Sequence, residues 1–136
     1  MSHTLTLDPV LVRLAAELRA LYGPRLERVV LFGSRARGDF RDDSDYDVAV
    51  FLHDYRGVWP ELNALSAITT DILMDTWKVI SAKPFRAGSY RDRTAFMGEI
   101  RRDGIDIWPL KQLASWTPHD GISPMPWRLP LWESTK

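Results

Sequence analysis

The segment Leu31–Val50 constrains this chain more than any other. Gly33-Ser34 closes one apolar run, and ten residues later Asp45-Tyr46-Asp47 opens the next. Such a stretch reads as strand, loop, strand. Glycine lets backbone N–H groups come close to phosphate oxygens, and the Ser34 hydroxyl adds a side-chain donor. Asp45 and Asp47 stand two apart on the second expected strand, so both carboxylates project from one face. Two carboxylates on one face suit Mg²⁺, which takes one or two of them and completes its shell with water and substrate phosphates. A polar turn balanced by Arg35, Arg37 and Arg41 would explain Asp42, Asp43 and Asp45. It does not explain Asp47, which alternates with Tyr46 and Val48 ahead of Ala49-Val50-Phe51-Leu52. A carboxylate entering a buried strand is costly unless it is paired or bound to metal.

Other features narrow the setting. The 136 residues suit a single core. Eighteen basic and eighteen acidic residues cancel, so no global field draws the chain onto nucleic acid or an anionic membrane. The absence of cysteine removes disulfides, thiolate metal sites and cysteine nucleophiles. No long apolar span or basic-then-apolar leader is visible, and a cytoplasmic protein is expected.

Along the chain, Asp8-Pro9 reads as N-cap and first helical residue, followed by Val10, Leu11, Leu14, Ala15, Leu18 and Leu21 at helical spacing up to Gly23-Pro24. Residues 25–32 read as the first strand and 45–52 as the second, with a short helical turn over 35–38. Pro60 to about Asp75 reads as a helix with the stripe Leu62, Leu65, Ile68, Ile72, Leu73. Residues 78–85 read as a third strand closed by Pro84, Thr94 as the cap of a helix to Asp103, and 105–108 as a last extended piece. The resulting expectation is an α/β (α+β) fold with a small mixed sheet flanked by helices. It comprises a domain over residues 1–108 and a Trp/Pro-rich extension over 109–136, where Trp116, Trp127 and Trp132 lie among five prolines.

Gly-Ser, ten residues, then Asp-x-Asp resembles the signature of the polymerase-β-like nucleotidyltransferases, and the Arg35-Ala36-Arg37-Gly38 wording looks like their minimal branch. The resemblance implies that fold. It implies metal coordination by Asp45 and Asp47 as the catalytic pair, with Mg²⁺ or Mn²⁺ as cofactor and ATP as nucleoside triphosphate substrate. It implies that Gly33 and Ser34 hold the β and γ phosphates, and Ser44, directly before Asp45, joins the phosphate-binding set. Arg35 and Arg37 are candidates for further phosphate contacts, since guanidinium forks suit phosphate oxygens; an exposed surface role is equally open for each.

Members of that family that perform chemistry usually carry a third carboxylate on the next strand. The matching stretch, Lys78–Lys83, contains no acid. A strand starting near Thr70 would let Asp71 or Asp75 fill the place, whereas the in-phase stripe from Leu62 to Ile72 favours helix. Small proteins of this type are often antitoxins of HEPN ribonuclease toxins, so the resemblance implies AMP transfer to a protein acceptor such as a HEPN-type toxin. The alternatives are a silent antitoxin that masks its partner and an aminoglycoside-like transferase acting on a small molecule. No membrane partner and no nucleic-acid substrate are expected.

Overall fold

The computed structural model describes residues 8–109. Helix α1 (Pro9–Tyr22) starts as its sequence dictates: the Asp8 carboxylate accepts from the Val10 N–H at 2.8 Å, and Pro9 occupies a position that needs no donor. A 3-10 turn (Gly23–Arg25) leads into β1 (Leu26–Phe32), followed by the one-turn helix α2 (Ser34–Arg37) and β2 (Tyr46–Leu52). Then come α3 (Val58–Thr76), β3 (Ile80–Arg86), a 3-10 turn (Ser89–Arg91), α4 (Ala95–Asp103) and β4 (Ile105–Trp108). Thr94 caps α4, its hydroxyl accepting from the Met97 N–H at 3.1 Å.

The four strands form one mixed sheet in the order β3-β2-β1-β4. β1 runs antiparallel to both β2 and β4, while β3 runs parallel to β2. Strand alternation divides the core. Val29 and Leu31 of β1 and Val48, Val50 and Leu52 of β2 pack with Leu11, Leu14 and Leu18 of α1 and Leu65, Ile68 and Ile72 of α3. On the other face Val30, Ala49 and Phe51 pack with Met97 and Ile100 of α4. α4 is short, so it covers only part of that face. The sheet is therefore buried on one side and partly open on the other, and the open part adjoins the end where β1 leaves and β2 begins.

Most element boundaries fall within two residues of expectation, and the β3 shift bears on the site. β3 runs from Ile80 to Arg86 in place of the expected 78–85, so Pro84, opposite Val50, lies within the strand and does not close it. β3 is an edge strand, where a residue without an N–H is accommodated. The helix expected from Pro60 starts two residues earlier, at Val58. The Trp/Pro-rich extension lies, from residue 110 on, outside the described residues.

At the end remote from Gly33, Glu61 is buried and ion-paired with Arg25, and it accepts from the Arg56 N–H at 3.1 Å. Arg25 also donates to the Asp54 carbonyl at 2.9 Å. This pairing ties the entry to β1 to the exit from β2 and the start of α3. Leu18, with no exposure, sits centrally between α1 and the sheet. Leu18→Ala should lower unfolding free energy by about 2–5 kcal/mol, read as a reduced urea midpoint with unchanged slope.

Candidate active site

The turn after β1 is built on Gly33. Its φ of 76° is one that side-chain-bearing residues rarely adopt, and a Cβ there would lie 2.4 Å from Asp47 Oδ2. That close approach arises because Phe32 pairs with Asp47 across β1 and β2. The carboxylate of Asp47 therefore rests against the glycine backbone. Ser34 opens α2, and its carbonyl accepts from the N–H groups of Gly38 at 2.9 Å and Asp39 at 3.2 Å. Gly38 ends α2 in the left-handed region, with φ 91°.

Arg35 and Arg37 part company here. Arg35 is only 4% exposed and points inward. Its Nε donates to the Ser44 carbonyl at 3.0 Å, and its Nη2 donates to the carbonyls of Asp42 at 2.9 Å and Arg41 at 3.3 Å. Its guanidinium also lies over the rings of Phe40 at 4.6 Å and Tyr46 at 4.0 Å. In place of the expected phosphate contact, the side chain braces the loop from within. Ser44 acts likewise: its Oγ accepts from the Arg41 N–H at 2.9 Å, closing a turn. Lys78 adds an outer brace by donating to the Asp42 carbonyl at 2.9 Å. Arg37, by contrast, is exposed, 3.4 Å from Asp39, and its charge acts on Asp47.

Tyr46 links this loop to α1. Its hydroxyl donates to Asp8 Oδ2 at 2.8 Å, the carboxylate that caps the helix through Oδ1. Burial, and then that carboxylate, hold the phenol well above its ordinary pKa.

The two carboxylates of the motif lie at the open face. Asp45 is exposed just before β2 and Asp47 is half-buried as its second residue. Burial raises the Asp47 carboxyl above its usual range and Asp45 adds to this, while Lys83 and Arg37 pull the other way. Phe32 borders Asp47 on β1 and meets Phe96 of α4 edge-on at 5.4 Å. Ser81 borders it on β3.

Asp71 and Asp75 are not brought to this face. Both are exposed residues of α3, which packs on the opposite side of the sheet, and Asp75 is ion-paired with Arg13 of α1 at 2.8 Å. The strand reading that would have used them fails because α3 continues to Thr76. Among the described residues no group of three or more acidic or histidine side chains gathers at one point. On the Asp47 face, β3 offers Ser81 and Lys83, two residues that the sequence reading placed in a strand without giving them a role. The signal was present as strand parity: counting in twos from Phe85, which packs against the α4 side, reaches both.

A half-buried carboxylate against a glycine turn, a second beside it, and a hydrogen-bonded loop between them lie together at the open face. The model of the polymerase beta nucleotidyltransferase family matches residues 20–107, and the chain belongs to that family. A Methanocaldococcus jannaschii relative provisionally named a protein adenylyltransferase, MJ0141, is 25% identical over 96 residues, covering 67% of this chain and 88% of that protein. A crystal structure from Sulfolobus solfataricus, provisionally described as a nucleotidyltransferase, superposes with a TM-score of 0.54 at 23% identity. It covers 79% of this chain and 87% of its own. A toxin–antitoxin crystallised with AMP-PNP superposes at 0.52 with 18% identity, over 74% of this chain and 75% of that one. Both solved structures share the fold.

Replacing Arg35 tests whether the loop depends on its brace. Arg35→Met should cost at least ~2 kcal/mol, since hydrogen bonds from a charged donor are the stronger kind. It should also open residues 38–44 to limited proteolysis. A second expectation follows from Asp47. With its carboxyl raised by burial, the native state binds this proton more tightly than the unfolded chain. The stability that it confers is present in acid and lost as pH rises through the raised value. Asp47→Asn should therefore raise Tm at neutral pH, and the gain should vanish near about pH 3, below the ordinary aspartate range. Paired thermal melts of the two proteins measure this.

Proposed function

We propose that the protein is a metal-dependent nucleotidyltransferase that moves AMP from ATP onto a protein acceptor, and that this acceptor is a toxin of the HEPN type. The observation that carries the reading is the Asp47 carboxylate held against the Gly33 backbone with Asp45 beside it. The pair suits Mg²⁺ or Mn²⁺, because two carboxylates leave coordination positions for phosphate oxygens and water. The relative named a protein adenylyltransferase and the toxin–antitoxin crystallised with AMP-PNP support the acceptor class and the adenine nucleotide.

In this reading the Gly33–Ser34 turn receives the β and γ phosphates, and Arg37 offsets their charge from the exposed side of α2. Asp45 and Asp47 would hold the metal. The acceptor oxygen attacks the α-phosphorus in line with the bridge to the β-phosphate. The new P–O bond forms as the bridging bond breaks, the proton of the acceptor hydroxyl passes to solvent water, and pyrophosphate leaves. A metal held there would supply positive charge for the triphosphate and the departing pyrophosphate. Arg35, Ser44 and Lys78 contribute rigidity, fixing the loop that joins the phosphate turn to the metal ligands.

A second reading has its own observation. Ser81, rather than an acid, stands beside Asp47 on β3, with Lys83 two residues on beside Ala49, and this favours an antitoxin that masks its partner without transferring nucleotide. The two separate in one experiment. The protein is incubated with α-labelled ATP, Mg²⁺ and a partner co-purified from the native host. A labelled partner band that disappears in the Asp45→Asn/Asp47→Asn double variant is the expected result. Absence of label, with the double variant still neutralising the partner, would establish masking instead.

A further inference from the structure

Among the described residues of the open face, Lys83 is a cation for which the family signature offers no role. β2 and β3 run parallel with Asp47 beside Ser81 and Ala49 beside Lys83. Alternation puts Ile80 and Ala82 into the core with Val48 and Val50, which leaves Ser81 and Lys83 on the Asp47 side. The Lys83 side chain is exposed, and its Nζ donates to Ser81 Oγ at 3.2 Å, which turns it back along the strand toward the level of Asp47. Among the described residues it makes no ion pair, although its charge acts on Asp47. An ammonium has three donors, and a single hydroxyl uses one.

We propose that Lys83 binds the α-phosphate of the nucleotide, on the side of Asp47 opposite the Gly33–Ser34 turn. This rests on the nucleotide reading of the site and adds to it a binding residue outside the motif. The geometry is directional. The Gly33–Ser34 turn lies beside Asp47 on the β1 side, and Lys83 approaches from β3. A triphosphate with its terminal phosphates on the turn and its metal on Asp45 and Asp47 extends its nucleoside end toward β3. Among the described residues, the cation that β3 presents on the Asp47 side is Lys83. Arg37 and Lys83 then flank the carboxylate pair from opposite sides, one serving the leaving pyrophosphate and the other the phosphoryl group that is transferred. Phosphate suits lysine as a point charge.

The test is calorimetric binding of α,β-methylene-ATP with Mg²⁺ to the full chain and to Lys83→Met and Lys83→Arg. It is paired with phosphorus NMR of the saturated complexes. Lys83→Met should weaken binding about tenfold, the loss of one charge-assisted hydrogen bond. It should move the α resonance while leaving the γ resonance in place. Lys83→Arg should restore most of the affinity, and both variants should melt with the parent protein because the side chain is exposed on an edge strand. Unchanged affinity in Lys83→Met overturns the assignment. So does a loss accompanied by movement of the γ resonance instead. If the parent protein itself fails to bind the analogue, the nucleotide reading falls, and the role of Lys83 falls with it. That outcome is distinct from a parent that binds and a Lys83 variant that binds equally well.

Discussion

The site depends on one buried guanidinium. Arg35 carries its charge into a position where desolvation costs several kcal/mol for an ion, and its hydrogen-bond partners are backbone carbonyls of Arg41, Asp42 and Ser44. Those carbonyls belong to a loop with no ladder of its own. One side chain thus satisfies the loop while the loop, with the faces of Phe40 and Tyr46, replaces the water that the guanidinium has lost. The arrangement works in one geometry only. Because Ser44 precedes Asp45 directly, fixing its carbonyl fixes where β2 begins, and with it the level at which Asp47 meets Gly33. Tyr46 extends the chain of dependence to α1 through Asp8, which caps the helix with one oxygen and accepts from the phenol with the other.

Much of this was legible in the sequence, and the reasons differ by element. The Gly33–Ser34 to Asp47 signature could be read because its demands are local: a positive φ needs glycine, and same-face carboxylates need a spacing of two. The caps Asp8 and Thr94 and the stripe of α3 were equally local. The roles of the arginines were not. Arg35 and Arg37 stand two apart in a four-residue helix, too short for any periodicity to say which faces inward, and both carry the chemistry for phosphate. Only the packed loop decides that Arg35 is consumed by carbonyls. Ser44 escaped for the same reason. Its hydroxyl suits a phosphate as well as it suits the Arg41 N–H.

The register of β3 was hidden more deeply. Pro84 reads as a terminator, and in a central strand it would be one. At the edge, beside the parallel β2, the strand passes through it. Only that register sets Ser81 beside Asp47 and Lys83 beside Ala49. Asp71 and Asp75 show the converse. Their chemistry suited the site, but α3 runs through both and packs beneath the other face, so the layer in which they lie excludes them. Residue type proposes, and the layer and parity of the element decide.

The charge arrangement leaves the two acids of the open face without full compensation. Asp47 is partly desolvated against Gly33 and raised for that reason, with Asp45 adding repulsion. A carboxylate pair in that condition gains from any cation brought to it, because the cation removes both penalties together. The fold supplies only part of that relief. Arg37 is shared with Asp39, and Lys83 is held by a hydroxyl rather than by the carboxylate. Neither cation closes onto Asp47 as an ion pair, so neither fills the place between the two acids. Had Lys83 reached Asp47 directly, the fold would gain an internal salt bridge and the site would resist a metal. Holding the ammonium on Ser81 leaves the acids under-compensated, and that deficit is what the proposed metal would relieve.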